Sequence, residues 1–93
     1  VYDDIRPCTI RVRVTGDGVK YLRTLPLHAS QQETETHDGY VIFEYRVAPT
    51  PEFYQAMLNC HCNFEVLSPL HVREEMRRIV DGLCALYRRP VHD

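Results

Sequence analysis

The chain has 93 residues, of which 44% are hydrophobic, and this is enough for one small core but too little for a two-domain enzyme. The 11 Lys and Arg residues are nearly balanced by 13 Asp and Glu residues, giving a net charge of −2, which excludes a surface that is basic throughout. No apolar run approaches the ~20 residues of a membrane-spanning helix.

The start of the chain and its cysteines give two further expectations. The first residue is Val1 instead of Met, and no charged leader precedes an apolar stretch, so we expect a piece of a longer protein whose upstream region is missing. Cysteines occur at positions 8, 60, 62 and 84. Because apolar side chains already supply a core, we expect reduced thiols and a cytoplasmic location.

The first predicted elements are a strand and a short helix. Residues 8–14 alternate apolar and polar side chains, which predicts a strand whose buried face carries Cys8 and the three aliphatic residues that follow it at every second position. Val19 and Leu22 then recur at helical spacing until Pro26 stops the pattern, which predicts a short helix.

An edge strand and a hairpin come next. Residues 30–36 are all polar, so a strand there fits only the edge of a sheet. Asp38-Gly39 is typical of a tight turn, and residues 40–47 alternate again. The pattern predicts a hairpin that leads into a central strand.

A second helix is marked by a cap residue followed by proline. Thr50 and Pro51 predict its start, and Phe53, Met57 and Cys60 share one face over about ten residues.

A brief strand and a long helix complete the chain. Residues 63–67 predict the strand, and Ser68-Pro69 repeats the signature of a cap residue followed by proline. The helix is predicted from Pro69 to about Arg88 because its apolar residues recur with helical period. These residues form one stripe: Val72, Met76, Ile79, Val80, Leu83 and Tyr87.

The order of elements predicts the fold. A β-α-β-β-α-β series followed by a long helix predicts an α+β, ferredoxin-like fold, with an antiparallel sheet and both short helices on one side. We assign residues 1–7 to an incoming connector, 8–88 to a single domain and 89–93 to a tail.

The sequence carries no signature of catalysis. It lacks a glycine-rich phosphate loop, a nucleophile elbow and a His-Glu-x-x-His pair, so we predict no enzyme activity and no cofactor. Cys60-His61-Cys62 combines residue types that bind metals, but zinc ligands normally lie two to four residues apart. Core or turn positions are therefore favoured over a metal site, and a redox role stays open.

The open face of the sheet is the candidate binding surface. By strand parity, Arg11, Arg13 and Arg46 share this face with Tyr40, so they could contact an anionic ligand, a nucleic acid or an acidic protein. The strand that contains Tyr40 partly resembles the third-strand motif of RNA-recognition domains, in which aromatic rings stack on bases. The alternative is ordinary solvated charge, with Glu44 paired to a neighbouring arginine.

The apolar stripe on the long helix must be buried against another surface. Left in water together, Val72, Met76, Ile79, Leu83 and Tyr87 would form a larger apolar patch than monomers usually expose. The helix therefore packs on its own domain or pairs with another copy of the chain, and the pattern leaves both open.

Several separated blocks carry a family resemblance. In chain order they are Pro26–Gln31, Asp38-Gly39, Val47–Phe53, Glu65–Pro69, Val72–Glu75 and Ala85–Tyr87. Together they resemble the C-terminal extension of bacterial WYL-domain transcriptional regulators, in which a winged-helix DNA-binding domain and a WYL sensory domain precede the extension.

The resemblance implies an accessory module. Such a module helps the regulator to dimerise and to sense an effector, which in characterised relatives includes single-stranded nucleic acid. The implied partners are the missing N-terminal domains, a second copy of the chain and a nucleic-acid or nucleotide effector, with no membrane. The alternatives are a stand-alone single-strand nucleic-acid-binding domain and a metal- or redox-responsive domain.

Overall fold

The computed structural model describes residues 6–59 and 63–91. The elements are β1 (Cys8–Thr15), α1 (Asp17–Thr24), β2 (Gln32–His37), β3 (Tyr40–Val47), α2 (Pro51–Leu58), β4 (Phe64–Ser68) and α3 (Leu70–Arg88). Their order and the four-stranded antiparallel sheet confirm the predicted ferredoxin-like α+β fold. Residues 1–5 of the predicted connector and 92–93 of the predicted tail lie outside the described residues.

The strands form one antiparallel sheet in the order β2-β3-β1-β4. β1 pairs with β3 along its whole length, from Cys8 opposite Val47 to Thr15 opposite Tyr40. In this order α1 joins two strands that are not neighbours, and so does α2, which is the double crossover of the ferredoxin-like fold. β2 and β4 are the two edges of the sheet.

The hairpin between β2 and β3 forms at Asp38-Gly39, as predicted. Gly39 has a φ of 88°, in the left-handed region that favours glycine, and His37 pairs with Tyr40 on either side of the turn. Every residue of β2 is exposed, so the predicted edge position is confirmed. The register of β2 against β3 shifts by one residue at Thr34, which forms a β-bulge.

The core contains residues from the sheet and from all three helices. The predicted inward face of β1 is confirmed, because Ile10, Val12 and Val14 are completely buried and Cys8 is partly buried against them. The other buried members of this cluster are Leu22, Val41, Phe43, Tyr45, Phe53, Tyr54, Met57, Val66 and Val72.

The start of α2 agrees with the sequence. Thr50 is the N-cap, its Oγ1 accepts a hydrogen bond from the backbone N–H of Phe53 at 3.3 Å, and Pro51 is the first helical residue. Phe53 and Met57 are buried. Cys60, which was predicted on the same face, lies outside the described residues.

The start of α3 corrects a prediction. The sequence favours Ser68 as N-cap, but Ser68 is the last residue of β4, and α3 begins at Leu70 with Pro69 at the cap position and no side-chain cap. The physical reason is that Ser68 pairs with Arg11 of β1, so the sheet holds its backbone and the helix starts later.

Candidate functional site

Arg11 lies on the outer face of the sheet, between two carboxylates. Its Nη2 donates to Glu35 of β2 at 2.8 Å, and its Nε lies 3.4 Å from Oε2 of Glu44. The pairing with Glu44 is the one that the sequence offered as the alternative to ligand binding. Since Arg11 is already balanced by two acids, a new anion would compete with both of them.

Arg13 is also paired, and its partner connects the sheet to α3. Arg13 Nη2 donates to Glu65 of β4 at 2.6 Å, and Arg73 of α3 donates to the other carboxylate oxygen at 3.1 Å. Arg73 Nη1 also donates to the carbonyl oxygen of Val66 at 2.7 Å. Hydrogen bonds from Arg13 and then Arg73 hold the pKa of Glu65 below its usual value.

The ring of Tyr40 has neighbours from both adjacent strands. His37 of β2 stacks on it at 4.6 Å between ring centroids, and the guanidinium of Arg13 lies over it at 5.6 Å. A nucleobase would have to displace one of these groups in order to stack on Tyr40.

Arg46 differs from the other two arginines because its side chain donates to a hydroxyl. Its Nη1 donates to Thr9 Oγ1 at 3.4 Å, and its backbone N–H donates to Ser30 Oγ at 2.9 Å. A recess of about 260 Å³ lies beside it, lined also by Gln32 and Glu44. Arg46 is therefore the predicted contact residue whose guanidinium is most available to a ligand.

The face as a whole is mixed in charge. The sequence predicts it as basic from its own strands, but Glu35 and Glu65 reach it from β2 and β4 and pair with its arginines. Ile42, assigned to this face by parity, is buried there. Contact of Arg11, Arg13, Tyr40 and Arg46 with a ligand stays a prediction.

The predicted stripe on α3 divides into two parts. Val72 is completely buried, and Met76 and Ile79 are partly buried against the core. Further along the helix Leu83 is 43% exposed and Tyr87 is 86% exposed. The first half of α3 therefore packs on its own chain, while the second half keeps its apolar residues in water.

We call the uncovered residues the exposed stripe, and they are Val80, Leu83, Leu86 and Tyr87. Leu86 is missing from the stripe predicted from sequence. It follows Ile79 by two helical turns, so the helical period alone places it on the same face.

A groove lies between α2 and α3, with a volume of about 630 Å³. Its lining residues are Pro49, Pro51, Tyr54, Gln55, Leu58, His71, Glu75, Arg78 and Ile79. Burial, and next the nearby charge of Glu75, raise the pKa of the Tyr54 phenol. Sequence reasoning missed this groove because periodicity assigns faces to each helix but does not give the space between two helices.

The comparison with protein families decides the family. The model described as WCX domain matches residues 6–83, which is most of the chain. The chain belongs to the WCX domain family. This is the family of the C-terminal extension domain of WYL regulators, so the resemblance seen in the sequence is confirmed. No curated protein matches the sequence.

Metal and membrane features can be stated for the described part of this WCX domain. Residues 6–59 and 63–91 contain no group of three or more His, Cys, Asp or Glu that could hold a metal ion, and no helix there is long and apolar enough to cross a membrane. Cys8 and Cys84 are free thiols. The candidate cluster Cys60-His61-Cys62 lies outside these ranges, so its metal or redox role stays a prediction.

Proposed function

We propose that this WCX domain is the C-terminal dimerisation and effector-sensing module of a bacterial WYL-type DNA-binding transcriptional regulator, acting in the cytoplasm and without catalysis of its own. Its partners are the winged-helix and WYL domains of the same regulator and a second copy of the chain. The exposed stripe on α3 carries the dimerisation part of the proposal.

The energetic reason is the cost of leaving large apolar side chains in water. Complete burial of a leucine is worth about 1.5–3 kcal/mol, so covering half-exposed Leu83 and Leu86 gains about half of that for each. Tyr87 exposes most of the roughly 200 Å² that a tyrosine can bury. A second copy presents the same stripe, so a two-fold contact covers both at once.

The effector-sensing part is supported by the outer face of the sheet. Arg46 presents a guanidinium whose hydrogen-bond partner is the hydroxyl of Thr9, which suits an anionic group. Arg46 lies opposite Thr9, four residues along β1 from Arg13, so only an extended anionic effector can contact both arginines. Such an effector must replace Glu65, the carboxylate that also binds Arg73 of α3. Effector binding on the sheet therefore competes with the contact between Glu65 of β4 and Arg73 of α3.

Light scattering coupled to size-exclusion chromatography tests the dimer. We expect the chain to be dimeric at about 100 µM, a concentration well above the micromolar constants of weak interfaces. Leu83→Asp should make the chain monomeric by placing a charge in the exposed stripe. The control Tyr21→Asp changes a half-exposed residue of α1 and should leave the dimer intact. A monomeric parent chain at that concentration contradicts the dimerisation part of the proposal.

The rival function, single-strand nucleic-acid binding, predicts a different measurement. Three arginines on phosphates would give a slope of about −2 for log affinity against log salt, but contact through Arg46 alone gives about −0.7. Because Arg11 and Arg13 are paired to acids, we expect weak oligonucleotide binding with the smaller slope. A slope near −2 in fluorescence anisotropy would favour the rival function.

A further inference from the structure

We propose that the groove between α2 and α3 binds residues 1–5, the part of the predicted connector that lies outside the described residues. The occupant of the groove is then a segment of the same molecule, held where the chain enters the domain. This inference goes beyond the proposed dimer and effector site and does not depend on either of them.

The chain enters the domain beside one end of this groove. Cys8, the first residue of β1, pairs with Val47 at the end of β3. Pro49 and Pro51 follow Val47 closely in the sequence, and both line the groove. Cys8 also packs against the buried cluster to which Tyr54, another lining residue, belongs. The connector therefore ends at a strand terminus that lies next to the groove.

The groove runs away from this end of the sheet along two helices. Because β3 and β4 are both antiparallel to β1, the helices that follow them, α2 and α3, begin where β1 begins. The lining residues extend from Pro51 to Leu58 on α2 and from His71 to Ile79 on α3. The part on α2 rises by about 10 Å, whereas five residues in the polyproline-II conformation span about 15 Å. Residues 1–5 are therefore long enough to follow the groove from one end to the other.

The large apolar residues of the segment suit the lining of the groove. These residues are Tyr2 and Ile5, and a polyproline-II helix places both on one side because it has three residues per turn. The volume of the groove, about 630 Å³, is typical of clefts that enclose a ligand. Ile5 is nearest to the point of entry and meets Tyr54. Tyr2, about 9 Å further along, meets Leu58 and Ile79.

The acidic residues of the segment meet no net charge in the groove. Asp3 and Asp4 lie between the two apolar residues, so in this conformation they point away from the lining. Glu75 of the groove is held by Arg78 through both of its oxygens, and together they are neutral. The side chain of Arg78 is 72% exposed, so this rim is wet and the two aspartates keep their contact with water.

The short connection favours this segment over a separate molecule. Only Arg6 and Pro7, which are both exposed, join residues 1–5 to β1. A short tether gives the segment an effective concentration in the millimolar range, which a second copy reaches only in very concentrated solution. Two apolar side chains of modest affinity are therefore enough to fill the groove from within the same chain.

Nuclear Overhauser effects in the full 93-residue chain test the contacts directly. We expect signals between the Ile5 methyl groups and the Tyr54 ring, and between the Tyr2 ring and the Leu58 methyl groups. The same signals should persist in Leu83→Asp, the variant designed to be monomeric, because they arise within one chain.

Amide chemical shifts test whether the segment and the groove respond together. Ile5→Asp places a charge where an apolar side chain is bound, so it should shift the signals of Gln55 and His71, which line the groove. The control Val91→Asp introduces the same charge at an aliphatic residue that is 85% exposed near the other end of the chain, and it should leave those signals in place.

A double-mutant cycle in urea denaturation measures the coupling. Tyr2→Ala and Leu58→Ala should each raise the equilibrium constant of unfolding. If the two side chains are in contact, the double variant should fall short of the product of the single effects by at least about twofold. The control pair, Tyr21→Ala with Leu58→Ala, should be multiplicative.

Three outcomes would overturn the inference. The first is the absence of contacts from residues 1–5 to the groove, or contacts to another surface instead. The second is multiplicative behaviour of Tyr2→Ala with Leu58→Ala. The third is the loss of the contacts in Leu83→Asp, which would assign the groove to a second copy of the chain and would leave the dimerisation proposal standing.

Discussion

The strongest prediction compares two valines on α3 that differ in burial. Val72 is completely buried in the core, and Val80 is 45% exposed on the exposed stripe. Replacing Val72 by alanine removes two buried methyl groups, and each is worth about 0.8 kcal/mol. The cavity that they leave costs about 1 kcal/mol more. Alanine recovers up to about 0.7 kcal/mol of helix propensity, so the net loss is about 2 kcal/mol.

The same chemical change at Val80 should cost almost nothing in the monomer. Its side chain already meets water, and the gain in helix propensity offsets what little packing is lost. The total free energy of unfolding of a chain of this size is about 5–14 kcal/mol, so a loss of about 2 kcal/mol at Val72 is large. In a thermal melt it lowers the midpoint by about 8–16 °C.

Urea denaturation measures both variants, at protein concentrations low enough for the monomer. We expect the midpoint to fall for Val72→Ala, the slope m to stay constant, and Val80→Ala to overlay the parent curve. Equal losses for the two variants, or a loss below about 0.5 kcal/mol at Val72, would refute the division of α3 into a packed half and an uncovered half.

Four further changes probe single features, each by urea denaturation of the monomer. Thr50→Ala removes the hydroxyl cap of α2 and should cost about 1 kcal/mol, whereas Thr50→Ser keeps the cap. Gly39→Ala forces a side chain into a φ of 88° and should cost about 1–2 kcal/mol, whereas Gly82→Ala, at an exposed helical site, should stabilise by up to about 1 kcal/mol. The lowered pKa of Glu65 stabilises the fold fully above its ordinary value of 4.5, and this is lost as the pH falls through the folded-state pKa. Glu65→Gln should therefore flatten the decline in stability between about pH 5 and pH 3.

For the changes at Thr50, Gly82 and Glu65, a specific outcome would contradict the reasoning. Equal stability of the alanine and serine variants at Thr50 would remove the role of the hydroxyl. A destabilising Gly82→Ala would mean that the monomer needs glycine there. An unchanged pH profile in Glu65→Gln would mean that the arginine pairs with Glu65 contribute no net stability in solution.

Local sequence signals predict most of the fold. The alternation in β1 identifies Ile10, Val12 and Val14 as buried, the Asp-Gly pair locates the hairpin, and Thr50-Pro51 locates the start of α2. These features depend on neighbours in the chain, which periodicity and turn chemistry describe. The same local logic fails at the start of α3, where strand pairing holds the backbone in the sheet.

The candidate site depends on contacts between distant parts of the chain, and there the sequence is less informative. Strand parity finds the face that carries Arg11 and Arg13, but it does not show that Glu35 of β2 and Glu65 of β4 reach across to them. The stripe on α3 has one period from end to end. Where the domain stops supporting that helix depends on the length of the sheet beside it, which no pattern within the helix records.

The bulge in β2 has a consequence for the protein at high concentration. An extra residue at Thr34 interrupts the outermost strand, between Glu33 and Glu35, which are held by Arg23 and Arg11. A neighbouring molecule that paired its strand with β2 would meet a broken register at the bulge. The bulge therefore blocks the continuous pairing of sheets from one molecule to the next through β2. Concentrated solutions should contain particles of finite size and no fibrils.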